Sequence, residues 1–186
     1  MPDASQKIGV SFAVEGTAAD DVVRLNVAIS EQFGSEIRFG PAGNSRPHVT
    51  IALGTANIAA LADVISLVDE AVRTIEPFPM SVGPAARETV TGRYVLADAE
   101  LPTLVRHWRS DLRTTIGSHM TGEGRMTDDA HLTVAVVEDH DNAVDQLLAR
   151  TDLRIADFTV THIDVAYAGA RGAKGATIQR FGLGAI

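Results

Sequence analysis

Apolar positions along this chain follow two alternating rhythms, and their order predicts the elements of the fold. Residues 8–14 form a short apolar run that closes before Gly16, and from Thr17 onward Val22, Val23, Leu25, Val27 and Ile29 recur at helical spacing. A strand followed by a helix is expected there. Residues 34–47, rich in Gly, Pro, Ser and Asn, lead into the apolar run His48-Val49-Thr50-Ile51-Ala52-Leu53, closed by Gly54 and expected to be a second strand. Asn57 is placed to cap a helix that carries Ile58, Leu61, Ala62, Ile65, Val68 and Val72 and stops at Pro77; residues 78–82 predict a third strand.

The second half runs through the same order. Tyr94-Val95-Leu96-Ala97 predicts a strand, and Leu101, Leu104, Val105, Trp108 and Leu112 a helix with Leu104, Val105 and Leu112 turned inward. A loop containing Gly117, Gly122 and Gly124 precedes a strand from His131 through Val137. Asp139 or Asp141 is placed to cap a helix through Val144, Leu147 and Leu148, and residues 158–167 and 177–183 predict the closing strands. Spacing repeats too: Val10 to His48 is 48 − 10 = 38 residues, and Val95 to His131 is 131 − 95 = 36. Each half reads as strand, helix, long loop, strand with His-x-Thr, helix, strand. The expectation is one α+β domain over residues 1–186, built from pseudo-repeats spanning 8–83 and 92–183.

Composition narrows the function classes. With 45% apolar and 22% charged residues among 186, the chain has material for a real core, which excludes wholesale disorder. It contains no cysteine, so disulfide frameworks, thiolate catalysis and sulfur-ligated zinc are excluded, and a cytoplasmic location is expected. The start, MPDASQKIGV, lacks the pattern of a secretory signal, and no apolar run approaches the roughly 18 residues of a membrane span. The formal charge is 16 − 24 = −8, which argues against coating long nucleic acids, whose binding depends on neutralising many phosphates. A small anionic substrate remains compatible where cations gather locally. From Val165 onward Arg171, Lys174 and Arg180 occur without any acidic residue.

The chemistry-bearing pattern is the pair His48-Val49-Thr50 and His131-Leu132-Thr133. From 6 His and 16 Thr in 186 residues, 6 × 16/186 gives about half of one such triplet by chance, so position matters more than count. Each copy lies in an apolar strand after a Gly-containing loop, at matching points of the repeat. On a strand, residues i and i+2 share a face. If the halves pack about a pseudo-twofold axis, two imidazoles and two hydroxyls converge on one cleft. One imidazole could then take a proton while its twin gives one, and the hydroxyls could hold the non-bridging oxygens of a phosphate. This arrangement requires no metal, and no cofactor is expected.

At these residues the chain resembles the 2H phosphoesterase superfamily, whose mark is two H-x-T-x motifs on related strands, here HVTI from His48 and HLTV from His131. The order of elements and the closing segment FTVTHIDVAYAGARGAKGATIQRFGL are similar as well, particularly to the bacterial 2′-5′ RNA ligase and cyclic phosphodiesterase branches. The resemblance implies a bilobal α+β fold with antiparallel sheets around a central cleft and helices outside. It also implies metal-independent cleavage of a cyclic or 2′-5′ phosphodiester, with His48 and His131 as acid and base and Thr50 and Thr133 as phosphate ligands. The expected substrate is a small nucleotide or an RNA-terminal phosphodiester, handled by a monomer with no membrane partner; a non-catalytic module that binds nucleotides or RNA ends is the alternative of another class. Many relatives carry a Ser and later a Tyr in the closing hairpin, where this chain has Ala168 and Thr177.

Arg46 and Arg125 stand near the two motifs and are candidates to reach an anion, with solvated loop charge as the competing reading. Phe12 and Tyr167 are candidates to stack on a base or to pack in the core. Trp108 reads as a core or boundary residue. His107, His119, His140 and His162 lack a matching partner motif. Asp128 and Asp129 read as a loop end rather than metal ligands, and the glycine-containing segments match neither the P-loop nor the dinucleotide fingerprint.

Overall fold

A computed structural model describes residues 5–122, 129–138, 142–151 and 153–184. Strand β1 (Gln6–Ala13) buries Ile8, Val10 and Phe12 completely, as the period of two demands. Helix α1 (Gly16–Phe33) turns Ala18, Val22, Leu25 and Ile29 to the core, and Gly34, with φ of 71°, ends it in a backbone region that disfavours side chains. Strand β2 (His48–Ala56) follows, then helix α2 (Ile58–Val72), whose Asn57 cap accepts the Ala60 N–H at 2.9 Å. Strand β3 (Phe78–Arg87) continues past residue 82 into a hairpin with β4 (Tyr94–Glu100). Helix α3 (Thr103–Gly117), strand β5 (His131–Val136) and helix α4 (Ala143–Arg150) come next.

The closing run is divided. Strand β6 (Phe158–Val160) pairs with β3, whereas β7 (His162–Ala168) pairs with β1 and with β8 (Lys174–Gly182), which starts earlier than residue 177. The expected inward position of Leu104 is also corrected: it is 77% exposed. The buried stripe of α3 is Val105, Arg109, Leu112 and Ile116, and Leu104 lies about 100° off it at 3.6 residues per turn. The expected caps Asp139 and Asp141, together with Gly124, lie outside the described residues.

All strand pairings are antiparallel, in the order β6-β3-β4-β5-β2-β1-β7-β8, and the sheet curls into a half-barrel with the four helices of the described residues packed on it. A late strand of each sequence half pairs with the first strand of the other, β3 with β4 and β7 with β1. Helices follow the exchange, α1 packing on β5 and α3 on β2. Among the described residues no helix is long and apolar enough to cross a membrane.

Candidate active site

The two motif strands lie side by side at the centre of the sheet and register through one residue pair, Val49 opposite Leu132. These are the middle residues of the two motifs, and both are fully buried. Antiparallel register about that pair carries His48 toward Thr133 and Thr50 toward His131, all on the opposite face from Val49 and Leu132. Each of the four is half-buried. Sequence spacing therefore supplies the face, and the β2–β5 pairing supplies the meeting.

Both motifs end in a bulge at the same position. The β1–β2 ladder pairs Val10 with Ala52 and Ser11 with Thr50, skipping Ile51; the β4–β5 ladder pairs Val95 with Ala135 and Leu96 with Thr133, skipping Val134. Bulges leave main-chain groups without ladder partners, and buried groups of this kind require others. Arg109 of α3, 5% exposed, donates from Nε and Nη2 to the Thr50 carbonyl at 3.3 and 3.0 Å. Asn26 of α1, 1% exposed, donates to the carbonyls of Val134 at 2.8 Å and Ile37 at 2.9 Å and accepts the Phe39 N–H at 3.2 Å. Each helix thus braces the motif strand of the other half.

Both imidazoles are oriented by the carbonyl two residues upstream. His48 Nδ1 lies 2.8 Å from the Arg46 carbonyl and His131 Nδ1 lies 3.3 Å from the Asp129 carbonyl. A carbonyl only accepts, so Nδ1 carries hydrogen in each ring and Nε2 is the nitrogen suited to proton transfer. Burial is the main influence lowering the His48 pKa from 6.5 to about 4; the Arg46 carbonyl opposes it, and Lys174 and His131 add to it. His48 is therefore neutral near pH 7. A small cavity beside His48 and Thr50 is lined also by Ser11, Tyr167, Ala168 and Lys174. Ser11, 3% exposed, has a hydroxyl with no protein partner among the described residues.

The remaining candidates are dispersed. The Arg46 carbonyl serves His48 while its residue is exposed, and Arg125 lies outside the described residues. Tyr167 is 42% exposed at the cavity, whereas Phe12 is wholly buried, edge-on to Phe78 with centroids 5.3 Å apart and stacked on Trp108 at 6.3 Å. Core packing is thus the outcome for Phe12. The cations of the closing segment are paired with carboxylates: Arg171 with Glu36, Lys174 with Asp164, and Arg180 with Asp164 and Glu15. His119 pairs with Asp63 and His162 with Glu15, each at 3.2 Å, and His140 lies outside the described residues. Ser11, Asn26, Arg109 and Asp164 escaped sequence reasoning, because a polar residue within an apolar period signals only that something partners it.

Paired His-x-Thr strands at the centre of a curled antiparallel sheet are the architecture of a 2H phosphoesterase. The profile of the 2′-5′ RNA ligase superfamily matches residues 15–171, and the chain belongs to that family. Among solved structures, TT0787 of Thermus thermophilus aligns with a TM-score of 0.66 at 15% identity, covering 96% of this chain and 98% of that one. LigT of E. coli in apo form aligns with a TM-score of 0.60 at 15% identity and the same coverage, and further LigT structures hold 3′-AMP and phosphate. Usb1 of Kluyveromyces marxianus aligns at 0.53 and 10% identity, covering 97% and 99%. At these identities the likeness concerns the fold. No curated protein matches the sequence. Family membership supports a 2H phosphoesterase-type activity.

Proposed function

We propose that the protein is a metal-independent phosphodiesterase that opens the 2′,3′-cyclic phosphate of a nucleotide or RNA end, using His48 and His131 as the acid–base pair. The observation that carries this reading is the register of Val49 opposite Leu132, which brings two oriented imidazoles and two hydroxyls onto one face of neighbouring strands. A phosphorus held there is flanked by a proton acceptor and a proton donor, as in-line displacement requires. One ring takes the proton of the attacking water while its twin protonates the leaving ribose oxygen. Thr50 and Thr133 donate hydrogen bonds to the non-bridging oxygens, and the unpartnered Ser11 hydroxyl is a third donor beside Thr50. Tyr167 binds the nucleotide from the cavity and Arg46 from the segment before His48, with Arg125, six residues before His131 in the sequence, as the matching cation.

The 3′-AMP held by LigT is a nucleoside monophosphate of the type such ring opening produces, which favours a small nucleotide over a long polymer. Acting on a diffusible substrate of this kind, the chain needs no membrane partner, and a cytoplasmic monomer suits it. The test is turnover of nucleoside 2′,3′-cyclic phosphates, 2′-5′ dinucleotides and cyclic dinucleotides in excess chelator, for wild type and for His48→Ala and His131→Ala. Loss of one acid–base partner is expected to lower kcat by about 10² to 10⁴ with folding intact. Near-normal turnover in both purified variants sinks the mechanism; turnover confined to 2′-5′ linkages selects that substrate instead.

A further inference from the structure

The two rings are related by the strand register, but their surroundings are not. Opposite His48 on β1 stands Ala13, and opposite His131 on β4 stands Asp98. Lining one cavity with His48 is Lys174 of β8, whose side chain is 4% exposed and whose Nζ donates to Asp164 Oδ2 at 2.6 Å. Asp164 is itself completely buried and receives Nε and Nη2 of Arg180 at 2.7 and 2.9 Å; Arg180 Nη1 continues to Glu15 at 2.6 Å. The main-chain N–H of Lys174 donates to Ser45 Oγ at 2.9 Å, three residues before His48. The cation is thus fixed at both ends, by β7 through Asp164 and by the loop that delivers His48.

A buried ion pair adds little net stability, because desolvation offsets most of the attraction. Its effect on a neighbour is different, since a fixed cation disfavours a second positive charge nearby. Lys174 lines the same cavity as His48 and Thr50. Also around the ring are Arg46 on its own loop, His131 on β5, the neutral Ser11 on β1, Tyr167 on β7 and the Gly172 main chain of the β7–β8 turn.

We propose that Lys174, clamped by Asp164, is a positioning residue that sets the direction of proton transfer, with His48 accepting and His131 donating when a cyclic phosphate is opened. This deepens the phosphoesterase reading and rests on it. The water oxygen bonds to phosphorus as its proton passes to His48 Nε2, and the bond from phosphorus to the leaving ribose oxygen breaks as His131 protonates that oxygen. Exchange with solvent then resets both rings.

The experiment reads both ring titrations by NMR in ligand-free wild type, Lys174→Met and Lys174→Arg. The double variant Lys174→Met/Asp164→Asn, which strands no buried charge, serves where Lys174→Met does not fold. Removing the cation is expected to raise the His48 midpoint by roughly half a pH unit or more, with His131 unmoved, while Arg keeps the wild-type midpoint. With a nucleoside 2′,3′-cyclic phosphate, the acid limb of kcat/KM should follow the His48 midpoint. A His48 midpoint indifferent to the loss of Lys174 overturns the assignment. So does an equal shift in Met and Arg variants, which marks mere loosening, or an alkaline limb that tracks His48. Absence of turnover with every phosphodiester sinks the phosphoesterase reading and the direction with it, whereas an unmoved ring in an active enzyme sinks only the role of Lys174.

Discussion

Truncating Asn26 to Ala tests whether helix bracing holds the second motif strand in place. The side chain is 1% exposed and makes three hydrogen bonds, to the Ile37 and Val134 carbonyls and from the Phe39 N–H. Alanine takes this partner from one acceptor, the Val134 carbonyl, and one donor, the Phe39 N–H, in a site closed to solvent, each orphan costing about 1–3 kcal/mol, while the Ile37 carbonyl keeps the Ser35 hydroxyl at 2.7 Å. Partial relaxation brings the expected loss to about 2–4 kcal/mol, a large share of the 5–15 kcal/mol typical of whole domains. Urea unfolding followed by circular dichroism measures it: with a slope of about 2 kcal/mol/M, the midpoint should fall by about 1–2 M at unchanged slope. Asn26→Asp is the informative control, because a carboxylate still accepts from Phe39 but donates to neither carbonyl, so it should be no more stable than the alanine variant at pH 7. A loss below about 1 kcal/mol for Asn26→Ala would refute the bracing argument, since water would then be serving the Val134 carbonyl and the Phe39 N–H.

Arg109→Met removes the corresponding brace from the Thr50 carbonyl and should lower thermal stability by about 2–4 kcal/mol, read as a drop of several degrees in Tm. The lowered pKa of His48, about 4 against 6.5, means that the unfolded chain binds its proton first as pH falls, so wild-type stability should decline between pH 6.5 and 4 by at most about 3 kcal/mol. His48→Gln should lack that part of the decline in denaturant titrations across the same window. Gly43 packs its Cα against the Arg38 carbonyl, where a methyl group has no room, so Gly43→Ala should disturb the loop that delivers Ser45 and His48; unchanged Tm and unchanged turnover together would contradict this.

Elements with a strong period were legible without any tertiary information. The alternation in β1, the stripe Val64–Val68–Val72 in α2 and the Asn57 cap are local consequences of strand pleat, helical turn and an unsatisfied N–H. Helix α3 departs from its apolar pattern: Leu104, beside the stripe, is apolar yet exposed, while Arg109, which belongs to the stripe, is charged yet buried. The division of residues 158–167 was hidden for a related reason, since β6 and β7 are both apolar and differ only in which distant strand each one meets.

The sequence by itself determined that two His-x-Thr strands exist, that each offers an imidazole and a hydroxyl to one face, and that they stand at matching points of similar halves. Those properties depend on residue identity and on a period of two. Tertiary structure alone decided that the strands are neighbours through Val49 and Leu132, that β3 and β7 exchange halves, and that Asn26 and Arg109 each brace the opposite motif. It also decided that Lys174, not Arg171 or Arg180, lines the cavity beside His48, and that Asp164 holds it there. The physical reason is range: pleat and helical turn act over a few residues, whereas pairing, burial and electrostatic environment depend on segments brought together from distant parts of the chain.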